Sequence, residues 1–147
     1  MTEDEQVGAL AYFALLEASS RLFGAVDKQL RAEGGITHAQ FEILTKLNAQ
    51  SDGMRMSDLA SLLLVSPSGL TYQVAQLEKR GLLHRARSPG DDRVVVVCIT
   101  AAAQRLIEKL VPAHIALVRK ALSGISGRAD LETLARLLGE ISKVVSV

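Results

Sequence analysis

The 147 residues predict a mainly α fold with a small β-hairpin wing, a winged helix-turn-helix flanked by long helices at both ends. Three observations carry that expectation. Apolar residues recur at three- and four-residue steps over most of the chain. Two short helical stretches meet at a tight turn near Ser66-Pro67-Ser68-Gly69. A β-branched run, Val94-Val95-Val96-Val97-Cys98-Ile99, then follows a Pro-Gly turn. Hydrophobic residues make up 48% of the chain, enough for a core, whereas aromatics make up only 3%. Aliphatic side chains must therefore do most of the packing.

The first helix is marked by Val7, Leu10, Ala11, Ala14, Ala18, Leu22, Ala25, Val26 and Leu30, with Gly34-Gly35 ending the run. A second apolar side (Tyr12, Phe13, Leu16, Phe23) predicts that this helix packs against something further. Thr37-His38-Ala39-Gln40 is a capping box, and Ile36 and Phe41 stand at the positions of a hydrophobic staple. Phe41, Ile43, Leu44 and Leu47 then face inward. After a loop over 49–53 and a brief strand at Met54-Arg55-Met56, Ser57 is the expected cap of a short helix through Leu64. Its apolar side is Leu59, Ala60, Leu63 and Leu64.

Ser66 is the expected cap of the next helix, with Pro67 at its first position and Gly81 just past its end. Leu70, Val74 and Leu77 bury one stripe of it. Strands are expected at 82–87 and 94–99 around Ser88-Pro89-Gly90-Asp91-Asp92. Thr100 caps a further helix that Pro112 should kink, and Asp130 caps the last.

The acidic opening, Met1-Thr2-Glu3-Asp4-Glu5, has the wrong sign for a secretory signal, and no apolar run approaches the roughly 20 residues of a bilayer span. The single cysteine, Cys98, excludes an internal disulfide and suits a reducing compartment. A cytoplasmic protein without membrane association is expected. The net charge of +1 is uninformative, but its distribution is not. Residues 79–93 carry Lys79, Arg80, Arg85, Arg87 and Arg93 against Asp91 and Asp92, a weak pointer to a polyanionic partner. No glycine-rich phosphate loop, Gly-x-Ser-x-Gly elbow or paired histidine ligands occur, so an enzyme is not expected. His38, His84 and His114 are scattered, and neither metal nor cofactor is expected. Cys98, inside an apolar strand, reads as an inert buried thiol.

Taken in order, Ile36-Thr37-His38-Ala39-Gln40-Phe41-Glu42-Ile43-Leu44, Ser66-Pro67-Ser68-Gly69-Leu70-Thr71 with Leu77-Glu78-Lys79-Arg80-Gly81-Leu82, Asp91-Asp92-Arg93 and Ile99-Thr100 resemble the MarR family (multiple antibiotic resistance regulators). The resemblance covers essentially the whole chain as one domain, 1–147. It implies a DNA-binding lobe at 35–100, dimerisation helices at 1–34 and 101–147, and a homodimer on pseudo-palindromic double-stranded DNA. It also implies a transcriptional regulator, a repressor answering to a small-molecule effector.

On that resemblance the candidate DNA contacts are Ser66, Ser68, Thr71, Tyr72, Gln73 and Gln76 on the recognition helix, with Arg85, Arg87 and Arg93 on the wing. Asp91 would orient Arg93; the alternative is a local salt bridge that only stiffens the hairpin. Tyr12, Phe13, Arg21, His38 and Phe41 could line an effector pocket, or serve core and surface roles. Relatives often carry Arg where this chain has Tyr72 or Gln73 and Gln76. Their absence predicts either A·T-leaning readout or weak DNA binding. The rival reading is a winged-helix protein that acts through a protein partner or a ligand.

Overall fold

A computed structural model describes residues 1–63 and 66–145. Leu64, expected on the apolar side of the third helix, lies outside the described residues. Those described form α1 (Glu3–Gly34), α2 (His38–Asn48), α3 (Met56–Leu62), α4 (Pro67–Lys79), β1 (Leu83–Ser88), β2 (Asp91–Ile99), α5 (Ala101–Ala121) and α6 (Arg128–Val144). The expected fold class is the one observed. By compactness the chain divides into two units, Met1–His114 and Ile115–Val147.

In the first unit, α1 runs for 32 residues, roughly 48 Å at the usual helical rise. Thr2 and Glu5 form a capping box at its start, and Gly35 ends it in the left-handed conformation at φ 63°. Only Val26 and Leu30 of α1 are buried. Val7, Leu10, Tyr12, Phe13, Leu16 and Phe23 are exposed, Leu10 by 71% and Phe13 by 65%. By length and mean hydropathy α1 is long and apolar enough to cross a bilayer, contrary to the expectation from unbroken apolar runs. The difference is physical: the Glu17–Arg21 ion pair, 2.7 Å, interrupts the run without lowering the average far.

Phe41, Ile43, Leu44 and Leu47 of α2 enter the core with Leu59 of α3, Leu70, Val74 and Leu77 of α4, and Val96 and Val97 of β2. Burying each of the three α4 side chains stabilises the fold by about 1.5–3 kcal/mol. The hairpin is antiparallel, pairing Leu83 with Ile99 and Arg85 with Val97, and a bulge falls between Arg87 and Ser88. The first strand is shifted by one residue from the expected 82–87, and the second is longer than expected, beginning at Asp91.

The third helix does not start as predicted. Ser57 was the expected cap, but Arg55 occupies that position without a side-chain capping bond. The cause lies across the fold, where Met54 is held in a β-bridge to Val97 by hydrogen bonds of 3.0 and 2.7 Å. The chain therefore turns into helix one residue after the bridge. Gly53, at φ 80°, makes this possible: a Cβ there would lie 2.5 Å from Cys98 Sγ and 2.8 Å from the Val97 carbonyl oxygen. Thr100 caps α5 as expected, accepting from Ala103 N at 3.2 Å, and it donates to the Gly81 carbonyl at 2.7 Å. The α5 helix continues through Pro112 to Ala121.

In the second unit, Gly127 rather than Asp130 stands at the α6 cap. At φ 84° glycine makes the entry turn, and Asp130 lies in the first turn, where a carboxylate suits the helix dipole. No residue of α6 is buried, and its Leu131, Leu137, Leu138 and Ile141 are exposed.

The α2 N-terminus is the most thoroughly satisfied helix end. Thr37 and Gln40 exchange cap bonds of 3.1 Å, and Asp27 of α1 accepts from His38 N at 2.8 Å. Hydrogen bonds from the Arg31 side chain and from His38 N hold the Asp27 carboxyl below the usual carboxylate range. A lowered folded pKa means its stabilisation is present above the unfolded value, about 3.9, and is lost as pH falls through the folded value. Asp27→Ala should therefore cost about 1–2 kcal/mol in urea unfolding at pH 7, and the gap from the parent should shrink progressively below about pH 4.

Candidate nucleic-acid interface

With Leu70, Val74 and Leu77 inside, α4 presents Ser68 and Tyr72 to solvent, with Lys79 at its last turn. Tyr72 is 62% exposed and lies at the centre of that outward face. Gln76 is half-exposed beside it, and Thr71 is exposed on one flank. Ser66 spends its hydroxyl on the cap, accepting from Gly69 N at 3.1 Å, and lies 3.3 Å from the Ser68 hydroxyl. Gln73 is half-buried on the α2 flank, where Gln40 Nε2 donates to its Oε1 at 3.0 Å.

The hairpin arginines are committed to partners within the chain. Arg93 Nε and Nη2 donate to the two oxygens of Asp91 at 3.1 and 3.3 Å, and Asp91 Oδ1 also accepts from Arg93 N at 3.0 Å. These bonds, with a smaller contribution from the charge of Arg55, hold the Asp91 carboxyl below its ordinary range. The Arg93 side chain nevertheless stays 90% exposed, so one face of its guanidinium is open to a phosphate. Arg85 Nε pairs with Glu78 of α4 at 3.0 Å, and Arg87 Nη1 donates to the Asp92 carbonyl at 2.7 Å across the wing turn.

Sequence reasoning missed one cation of this region, Arg55, and the partner of another, Arg80. Arg55, exposed at the α3 cap, acts electrostatically on Asp91 and so joins the wing charges. Arg80 donates to the Gly35 and Gly34 carbonyls at 2.7 and 3.3 Å, clasping the end of α1 from the end of α4. Lys79-Arg80 before Gly81 signalled a helix end, but nothing local pointed to a partner 45 residues away. Asp52, Arg55, Asp58 and Ser88 line an open cleft between the α2–α3 loop and the wing turn.

Of the five candidate effector residues, His38 and Phe41 each meet an aromatic ring outside the set. The His38 ring meets Phe23 at a tilt of 47° with centroids 4.6 Å apart, and Phe41, buried, lies 5.0 Å from His114. Burial, with a smaller push from His38, lowers the His114 pKa, and its Nδ1 is buried without a partner among the described residues. Tyr12 and Phe13 are exposed and meet each other edge to face at 5.2 Å, while Arg21 pairs with Glu17. No ring contact or hydrogen bond joins these three to His38 or Phe41 among the described residues.

The model of the MarR family matches residues 36–95, from the α2 staple into the second wing strand. A MarR family transcriptional regulator from Streptomyces coelicolor, AbsC, is 31% identical, with a TM-score of 0.83 over 97% of this chain and 95% of that one. The chain belongs to the MarR family. Another MarR family regulator from the same organism, Sco3205, solved in complex with DNA, superposes with a TM-score of 0.88 at 26% identity. That match covers 100% of this chain and 91% of Sco3205. YdcH, an HTH-type transcriptional regulator of Bacillus subtilis, is 30% identical over 81% of this chain and 87% of its own length. MarR proteins are transcriptional regulators, and this chain carries their winged helix entire apart from the two undescribed residues before α4.

Within this MarR fold Cys98 sits behind Gly53, and burial, reinforced by the charge of Asp52, raises its pKa. A thiol held protonated is a poor nucleophile. Iodoacetamide at pH 7.4 should leave Cys98 of the native protein unmodified over a period in which the urea-unfolded chain reacts to completion. Equal rates would place the thiol at the surface.

Proposed function

We propose that this protein is a ligand-responsive repressor that binds pseudo-palindromic operator DNA as a cytoplasmic homodimer. The observation that carries the reading is the roll of α4, whose buried stripe turns Ser68, Tyr72 and Gln76 outward next to a wing bearing Arg93. Ser68, Thr71, Tyr72, Gln76 and, through its NH2, Gln73 would meet base edges and phosphates in the major groove, with Ser66 supporting as the cap, and Arg93 would reach the backbone. Arg85 and Arg87 would contribute field more than direct contact, since each already has a partner.

The dimer rests on the exposed apolar faces of α1 and of α6. Left in water they would form apolar patches of the kind that mark association surfaces. Residues 1–34 and 101–147 would supply the subunit contacts and 35–100 the reading lobe. Two copies related by a two-fold axis would place their α4 helices about one duplex turn, roughly 34–36 Å, apart. Effector binding would bear on His38 and Phe41, whose ring contacts reach Phe23 and His114. The rival reading, action through a partner protein, is favoured by one observation: α4 carries no arginine within its span.

A mobility shift across a salt series, with the DNA upstream of the protein's own gene, separates the two. Specific binding that falls steeply with salt supports the repressor, and none at about 50 mM salt supports the rival. Arg93→Ala should weaken binding to all sequences and flatten the slope of log affinity against log salt by about 1 per wing engaged. Tyr72→Arg should raise affinity for non-specific duplex; unchanged affinity would mean that Tyr72 does not face the groove.

A further inference from the structure

The two glutamines that join α2 to α4 determine each other's orientation. An amide presents a carbonyl on one side and an NH2 on the other, and a half-turn exchanges them. Gln40 has no such freedom. Its Oε1 accepts from Thr37 N in the capping box, at 3.1 Å, so only its Nε2 remains to face outward. That Nε2 donates to Gln73 Oε1 at 3.0 Å. The carbonyl of Gln73 is thereby drawn toward α2, and its NH2 points the other way. Among the described residues the Gln73 NH2 makes no hydrogen bond, and it does not belong to the buried polar atoms that lack one.

We propose that Gln40 is a positioning residue for base readout: by holding the Gln73 carbonyl, it makes Gln73 a donor-only reader of the major groove. The inference rests on α4 entering that groove, as proposed above. An unconstrained glutamine recognises adenine by accepting from N6 and donating to N7. Gln73 can supply only the second half of that pair. It favours edges that present acceptors, guanine O6 and N7 or thymine O4, over the amino groups of cytosine and adenine. The sequence information carried by Gln73 is thus set by a residue on another helix, 33 positions away.

The test exploits the capping box. Glutamate serves at its third position as well as glutamine does, so Gln40→Glu keeps the bond to Thr37 N. A carboxylate cannot donate, however. Gln73 must then turn its NH2 toward Glu and expose its carbonyl. Gln73→Glu reverses the same polarity from the other side, accepting from Gln40 and offering a carboxylate oxygen, and it leaves the α2 cap untouched should the first variant fold poorly.

Selection of duplexes from a randomised pool, followed by competition binding with the full-length protein, reads the outcome. At one position in each half-site, both variants should move preference from guanine or thymine to cytosine or adenine. Relative affinity there should change about five- to tenfold, the worth of one hydrogen bond, with the other positions unaltered. Gln73→Ala should erase the preference at that position and make Gln40→Glu silent there. A parent motif that neither variant alters overturns the inference alone, as does a Gln40→Glu shift that persists with Gln73→Ala. If the parent protein selects no motif at all, the reading of α4 as a DNA reader falls and this inference with it. A residue that merely seated α4 would change overall affinity and leave the identity of the preferred base untouched.

Discussion

The burial of Leu70, Val74 and Leu77 sets the roll of α4, and that roll decides which side chains any partner meets. Three aliphatic groups at i, i+4 and i+7 give the helix one low-energy seat against α2, α3 and the hairpin. Turning it by a quarter would expose this stripe and bury Thr71 or Gln76 among aliphatic neighbours, at a cost in both directions. The other contacts refine a seat already chosen. Ser66 closes one end of α4 and the Arg80 clasp closes the other. Gln40 and Glu78 brace its flank and its last turn, against α2 and β1 respectively.

Legibility in the sequence followed the range of the interaction. The Thr37–Gln40 box, the Ser66 cap, Gly81 and the hairpin were all readable because their partners lie within a few residues. Errors arose where distant contacts decide local structure. The start of α3 is set by the Met54–Val97 bridge, so the capping preference of Ser57 was overruled. Gly127 displaced Asp130 because the α6 entry needs a positive φ, which a search for polar caps does not weigh. The candidate interface divides in the same way. The Arg93–Asp91 pair was legible because its members lie two residues apart, but the partners of Arg85 and Arg87, Glu78 and the Asp92 carbonyl, emerge only once the wing is folded. Gln73 faced the same limit: helical spacing placed it near the outward side but did not show the tie to Gln40 that turns its carbonyl toward α2.

The wing is therefore a balanced charge system rather than a bare cationic tip. Exposed pairs such as Arg93–Asp91 contribute little to stability, so their chief physical effect is geometric. They hold guanidinium planes in fixed directions before any polyanion arrives, which lowers the entropy lost when one does. Asp91 and Asp92 offset part of the attraction. The field around the hairpin is accordingly milder than a count of its arginines suggests.

The Arg80 clasp has a mechanical consequence. Its guanidinium belongs to the last residue before Gly81, and the carbonyls it grips are the final ones of α1. Arg80 is exposed, so water can take over these bonds, and the clasp sets the direction in which α1 ends beside α4 more than it adds stability. The α1 helix is roughly 48 Å long, so a difference of about 5° in its direction at the clasp would displace its far tip by about 4 Å.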